Sequence, residues 1–308
     1  MMKARRRMYP VLVEPEELLN ISSKDVVLID VRKEEDYIHG HIPDAVSLPL
    51  ARVLESMDPK QLHRLFRSVG VDDASKYAIV YDDTFGALAA RVAWALEYIG
   101  HERVSLLSIT YGRWVSLGYA VEKGRGKGKG IEQISTVDDN DDTGIDISAD
   151  YDILATYDYI QAIIEGIKQL QQGKETNINS SSSSNSSIKK GDGDGKVLLD
   201  VRERLNYLDH HIPYAMNIPW KAFAGEDRIL KSVDEINSLL SYRKISRSDE
   251  VIVYCGSVGT LSGLSYYALR LAGYTRVRLY ARSLKEWRSL NLPVEGFKNA
   301  HYWDLSAE

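Results

Sequence analysis

The sequence predicts an α/β protein made of two tandem copies of one domain, each a mostly parallel sheet flanked by helices. Three observations lead to this. The chain has 308 residues, about twice the usual size of a single domain. Its two halves match in order at a nearly fixed offset. Within each half, short β-branched runs alternate with amphipathic stretches, the pattern of strands joined by crossover helices.

The repeat is read first from Val27-Leu-Ile-Asp-Val-Arg32 against Val197-Leu-Leu-Asp-Val-Arg202, 170 positions apart. His41-Ile-Pro-Asp-Ala45 with Pro49 matches His211-Ile-Pro-Tyr-Ala215 with Pro219 at the same shift. The shift then becomes 173: Ala78-Ile-Val-Tyr81 matches Val251-Ile-Val-Tyr254, and Gly100, Trp114 and Val121-Glu122 match Gly273, Trp287 and Val294-Glu295. In the second copy, strands are expected at Val197–Val201, Val251–Tyr254 and Arg276–Tyr280, with helices at Val233–Tyr242 and Ser262–Ala272. A further helix is expected from about Tyr157 to Gln171. The domain plan is 8–123, a flexible linker at 124–150, and 151–308. The linker follows from Gly alternating with Lys or Arg through Gly130 and six aspartates between Asp138 and Asp150. A Ser-rich stretch at about 173–195 reads as a disordered insertion in the second domain.

Composition narrows the function. Lys and Arg number 39 against 44 Asp and Glu, a net −5, so no global basic field exists to hold nucleic acid. The apolar run after the basic N-terminus, at Pro10–Glu14, is too short for a secretion signal. Val251–Leu269 carries no charge over 19 positions, yet Gly256, Gly259 and Gly263 among its serines fit a strand, a turn and a helix start better than a membrane span. A soluble cytoplasmic protein with no membrane partner is expected. A single cysteine, Cys255, excludes an intramolecular disulfide and any cysteine-rich metal site.

Cys255 directly follows a buried-strand pattern and precedes Gly256-Ser-Val-Gly-Thr260, after which the apolar spacing turns helical. Sheets of this kind gather ligands at the carboxyl ends of their strands, where Asp30, Asp82, Asp200 and Cys255 all fall. A glycine loop feeding a helix can turn successive backbone N–H groups toward the sulfur, stabilising a thiolate or a persulfide. The competing structural reading is a buried, inert cysteine.

These residues resemble the two-domain rhodanese family, the thiosulfate and mercaptopyruvate sulfurtransferases, over nearly the whole chain. The resemblance is carried by the Asp-x-Arg strand ends, Gly40-His-Ile-Pro-Asp-Ala45, the Cys255 loop and the Trp near each domain's end. It implies an inactive N-terminal domain, with Asp82 where the second copy has Cys255, and a catalytic C-terminal domain whose Cys255 becomes a persulfide. It implies a small sulfur donor, an acceptor that is cyanide, a thiol or a sulfur-carrier protein, and no metal or organic cofactor. Gly256, Ser257, Val258, Gly259 and Thr260 would bind substrate. Cys255-Gly-Ser-Val-Gly-Thr260 is similar to the Cys-Gly-Ser-Gly-Val-Thr loop of mercaptopyruvate enzymes with Gly and Val exchanged, whereas thiosulfate enzymes more often place a basic residue after the cysteine. Asn206 stands where the family often has Glu or Arg, and Tyr280-Ala-Arg-Ser283 where it has Tyr-Asp-Gly-Ser; Arg282 is the candidate replacement cation.

The remaining polar residues are expected to be structural. Arg32 and Arg202 should pair with Asp30 and Asp200, and His41 and His211, present in both copies, should make fold-stabilising hydrogen bonds rather than bind metal. Lys221 is either a cleft residue or an ordinary surface lysine. Phosphatase chemistry on the same kind of loop needs an arginine six positions after the cysteine, and that position is Leu261. A persulfide carrier with little turnover of small donors is the alternative to an enzyme.

Overall fold

The computed structural model describes residues 9–22, 24–71, 75–126, 149–175 and 195–296. The expected linker at 124–150 and insertion at 173–195 fall mostly outside the described residues.

The chain divides into two compact units, one running through Tyr151 and also holding Phe223–Val233, the other formed by Asp152–Ala222 and the remainder. The first contains β1 (Leu12–Val13), α1 (Pro15–Asn20), β2 (Val26–Asp30), α2 (Glu34–His39), β3 (Val46–Ser47), α3 (Leu50–Leu54), α4 (Pro59–Ser68), β4 (Tyr77–Tyr81), α5 (Ala87–Tyr98), β5 (Val104–Leu107) and α6 (Tyr111–Ser116). The second contains α7 (Tyr157–Glu175), β6 (Lys196–Asp200), α8 (Arg204–Asp209), β7 (Met216–Asn217), α9 (Val233–Tyr242), β8 (Glu250–Tyr254), α10 (Thr260–Leu271), β9 (Val277–Leu279) and α11 (Ser283–Ser289).

Both sheets are parallel throughout, ordered β1-β5-β4-β2-β3 and β7-β6-β8-β9. Parallel strands covered on both faces are built from continuous apolar runs, and Ala78-Ile-Val-Tyr81 in β4 and Val251-Ile-Val-Tyr254 in β8 supply them. The register repeats as well: Asp30 pairs with Tyr81 and Asp200 with Tyr254. Both tyrosine hydroxyls accept a backbone N–H, Ile42 on Tyr81 and Ile212 on Tyr254, each at 3.1 Å. The matched tryptophans Trp114 and Trp287, both buried, donate their indole N–H to a carbonyl six residues on, Trp114 to Ala120 at 2.9 Å and Trp287 to Pro293 at 2.7 Å. The offset matches therefore mark residues with the same job in each copy.

Candidate active site

The site grows from the carboxyl end of β8, an inner strand of the second sheet whose five residues are all buried. Cys255 follows it and is 3% exposed. The loop turns into α10 at Gly259, whose φ of +79° is a left-handed conformation that glycine adopts without penalty. That locates the one loop position needing glycine at 259, after the exchanged Val258. Gly256 is not held by such a need: a Cβ there would meet only Arg202 Cδ at 3.8 Å, an ordinary contact. Thr260 opens α10, and Val258 is half-buried between the two glycines.

Three contacts fix the loop from the next element. Ser283 Oγ accepts the Cys255 N–H at 3.1 Å, donates to the Tyr280 carbonyl at 2.9 Å and lies 3.6 Å from the Cys255 sulfur. The N–H groups of Leu284 and Lys285 donate to the carbonyls of Cys255 and Gly256 at 3.2 and 3.0 Å. Helix α11 is thus hydrogen-bonded to the cysteine loop at three successive residues. Ser283 does this with a φ of +55°, which breaks the helical path between Arg282 and the rest of α11.

Across from the loop, Arg202 Nη2 meets Asp200 Oδ2 at 2.6 Å, and Nε bonds both carboxylate oxygens. Burial lowers the Arg202 pKa, but Asp200 outweighs it and the net direction is upward, with the nearby cysteine adding to the pull. Arg32 and Asp30 repeat the pair in the first unit at 2.6 Å. The expected structural ion pairs are present. So are the expected histidine bonds: His41 Nδ1 lies 2.9 Å from the Tyr37 carbonyl and His211 Nδ1 2.8 Å from that of Tyr207, each ring stacked on its tyrosine at 3.9 Å. Burial lowers the His211 pKa below 6.5. Lys221 pairs with Glu203 at 3.1 Å.

Beside the loop opens a cleft of about 470 Å³ lined by Arg202, His210, Gly256, Ser257, Lys285 and Arg288, among others. Arg282 is not in its lining; it is 64% exposed and pairs with Glu286 at 3.5 Å. Besides Arg202, the cleft's cations are Lys285 and Arg288 of α11, three and six residues beyond Arg282, and no motif in the sequence marks either of them. Among the described residues no group of three His, Cys, Asp or Glu side chains can hold a metal ion, and no helix is long and apolar enough to cross a membrane.

The first unit shows what such a loop binds. Asp82, fully enclosed at the position of Cys255, accepts backbone N–H bonds from Thr84 and Gly86 on one oxygen, at 2.7 and 2.9 Å, and from Leu88 and Ala89 on the other, at the same two distances. Burial pushes its pKa up, and the four N–H donors pull the other way. Gly86 has φ +78° and ψ 3°, against +79° and 14° at Gly259. The Gly86 carbonyl accepts Ala90 N–H at 2.9 Å and that of Gly259 accepts Gly263 N–H at 2.8 Å. The two loops share the left-handed glycine that opens the helix but differ one residue earlier, where Phe85 has a φ of +56° and its counterpart Val258 is not left-handed.

The profile of a Rhodanese-like domain matches residues 14–117 and again 184–290. The chain belongs to the rhodanese family. Thiosulfate sulfurtransferase from Pseudomonas aeruginosa is 26% identical, covering 93% of this chain and 97% of its own. The 3-mercaptopyruvate sulfurtransferase of Escherichia coli K12 is 25% identical over 91% and 95%. A sulfur carrier protein, TtuD of Thermus thermophilus, is 25% identical over 82% and 84%. These relatives give the rhodanese chain a sulfurtransferase-family role. Among solved structures, an anaerobic ergothioneine biosynthesis enzyme from Chlorobium limicola shares the fold, with a TM-score of 0.66, 18% identity and coverage of 90% of this chain. The present chain spans 66% of the length of that enzyme.

Proposed function

We propose that this rhodanese moves a sulfane sulfur from thiosulfate or mercaptopyruvate, through a persulfide on Cys255, to a thiophilic acceptor. The observation that carries this reading is the pair of matched loops. The Asp82 oxygens lie two bonds from Cβ and meet four N–H groups. The outer sulfur of a Cys255 persulfide would likewise lie two bonds from Cβ, at the start of a loop with the same glycine turn into its helix, where the N–H groups of Ser257, Gly259, Leu261 and Ser262 occupy the matching positions.

The chemistry is a double displacement. The Cys255 sulfur attacks the outer sulfur of the donor, forming an S–S bond. With thiosulfate the donor's own S–S bond breaks and sulfite leaves with the electron pair. With mercaptopyruvate a C–S bond breaks, and the enolate released takes up a proton to become pyruvate. An acceptor nucleophile, such as cyanide or a thiolate, then attacks the outer sulfur, and Cys255 departs as the thiolate. All atoms are accounted for without a metal or organic cofactor. The reading places Ser257, Val258, Gly259 and Thr260 around the transferred sulfur with Gly256 at its entrance, and sets the reaction in the cytoplasm, where a lone reactive thiol stays reduced.

A carrier role is the second reading, favoured by the named likeness to a sulfur carrier protein. Steady-state turnover of each donor with cyanide separates the two. An enzyme releases thiocyanate over many cycles, whereas a carrier releases about one equivalent per chain. Cys255→Ser abolishes sulfur transfer under either reading, and full transfer by that variant would overturn both.

A further inference from the structure

Resting on the persulfide reading, we propose that Lys285 and Arg288 grip the oxyanion of the sulfur donor, and that this pair makes the cleft selective for a dianionic sulfur oxyanion over a keto monocarboxylate. The cysteine loop brings no charge of its own, since Gly256 follows Cys255 and no Lys or Arg occurs before Arg270. The other two cations nearby are matched: Arg202 by Asp200 at 2.6 Å and Arg282 by Glu286 at 3.5 Å. Lys285 and Arg288 line the cleft, and among the described residues neither has a carboxylate partner. Arg288 Nη1 instead lies 3.3 Å from His210 Nε2, while His210 Nδ1 meets Asp209. Donation from the guanidinium needs a neutral imidazole there, so His210 orients Arg288 without matching its charge.

The backbone docks their helix against the cysteine loop. Lys285 bonds the Gly256 carbonyl through its own N–H at 3.0 Å, and Arg288 lies three residues on, on the same face of α11. The repeat supplies an internal control. The positions of Lys285 and Arg288 in the first copy are Gly112 and Val115, and the position of Gly256 is Asp83, whose carboxylate accepts the Gly112 N–H at 2.7 Å. The fold therefore does not require cations at these two places. They occur in the copy that holds the cysteine. Two unmatched positive charges attract a dianion about twice as strongly as a monoanion at the same distance, which is the basis of the selectivity.

The test measures the second-order rate of Cys255 persulfidation by intact mass, with thiosulfate and with mercaptopyruvate, in the wild type, Lys285→Gln, Arg288→Gln and the double variant. The double variant is expected to lose about tenfold or more of its rate with thiosulfate and about threefold or less with mercaptopyruvate, and salt should narrow the wild-type advantage for thiosulfate. Lys285→Arg should retain the rate, since the charge stays. Equal losses with both donors, or no loss with thiosulfate, would overturn the selectivity while leaving the persulfide reading intact. A wild-type protein that gains no sulfur from either donor would remove the reading on which it rests.

Discussion

The two copies differ most where their shared framework is most alike. In the first, the loop after β4 holds its own carboxylate, Asp82, on four N–H groups. In the second, the corresponding loop holds Cys255, with Ser283 at its N–H and sulfur. The surroundings diverge in the same direction. Tyr111 lies over Arg32, with the guanidinium 3.7 Å from the ring centroid, and a Cβ on Gly40 would come 2.5 Å from its hydroxyl. The matching residues in the second copy are Leu284 and His210, both lining the cleft. One copy is filled by its own side chains, and the other keeps space above the strand ends. The glycine turn after the central strand end is common to both copies, whereas the side chains around it differ in size and one copy carries an acid where the other carries a thiol.

The largest effect is expected from emptying the Asp82 cradle. Asp82→Ala leaves four buried N–H groups without their acceptor and should lower stability by roughly 3–5 kcal/mol, whereas Cys255→Ala should remove only about 1 kcal/mol. Denaturant unfolding of both variants checks this, and equal losses would show that the carboxylate is not what holds the first loop.

A smaller effect is expected from giving the first copy the second's contour. Gly40→Ala should cost about 1–2 kcal/mol because Tyr111 cannot yield without leaving Arg32. In a Tyr111→Leu background the same change should cost little. A double-mutant cycle by thermal unfolding reads this coupling, and additive losses would contradict the account of why one copy is closed.

The smallest effect is a pH dependence in the second copy. Burial holds the His211 pKa below its ordinary 6.5, so the unfolded chain takes up a proton there more readily than the folded one. The contribution is full above pH 6.5 and is lost as pH falls through the lower folded value. Urea midpoints at two pH values on either side should therefore converge in His211→Gln relative to the wild type. An unchanged acid loss in that variant would assign the dependence elsewhere.

Much of the framework was legible because it depends on local pattern. Strands expected at Val197–Val201 and Val251–Tyr254 occur at Lys196–Asp200 and Glu250–Tyr254, and the helix at Val233–Tyr242 has those bounds. β-Branched runs and helical spacing are properties of consecutive residues. The first strand, Leu12–Val13, was not foreseen, since two residues carry no period and only pairing with β5 defines them. The cleft was less legible for a related reason. Arg282, Lys285 and Arg288 are spaced at three, which on a continuous helix is one face, but the left-handed Ser283 separates the first from the others. Only tertiary docking of α11 on the cysteine loop reveals which cations line the cleft beside that loop, and it also brings Ser283, 28 residues away, onto Cys255.

The most direct test of the central claim is the mass of the intact protein after incubation with thiosulfate or mercaptopyruvate. The expected result is the gain of one sulfur atom per chain, carried on Cys255, absent in Cys255→Ser and removed by cyanide with release of thiocyanate. A chain that takes up no sulfur, or that takes it up equally well as Cys255→Ser, would contradict it.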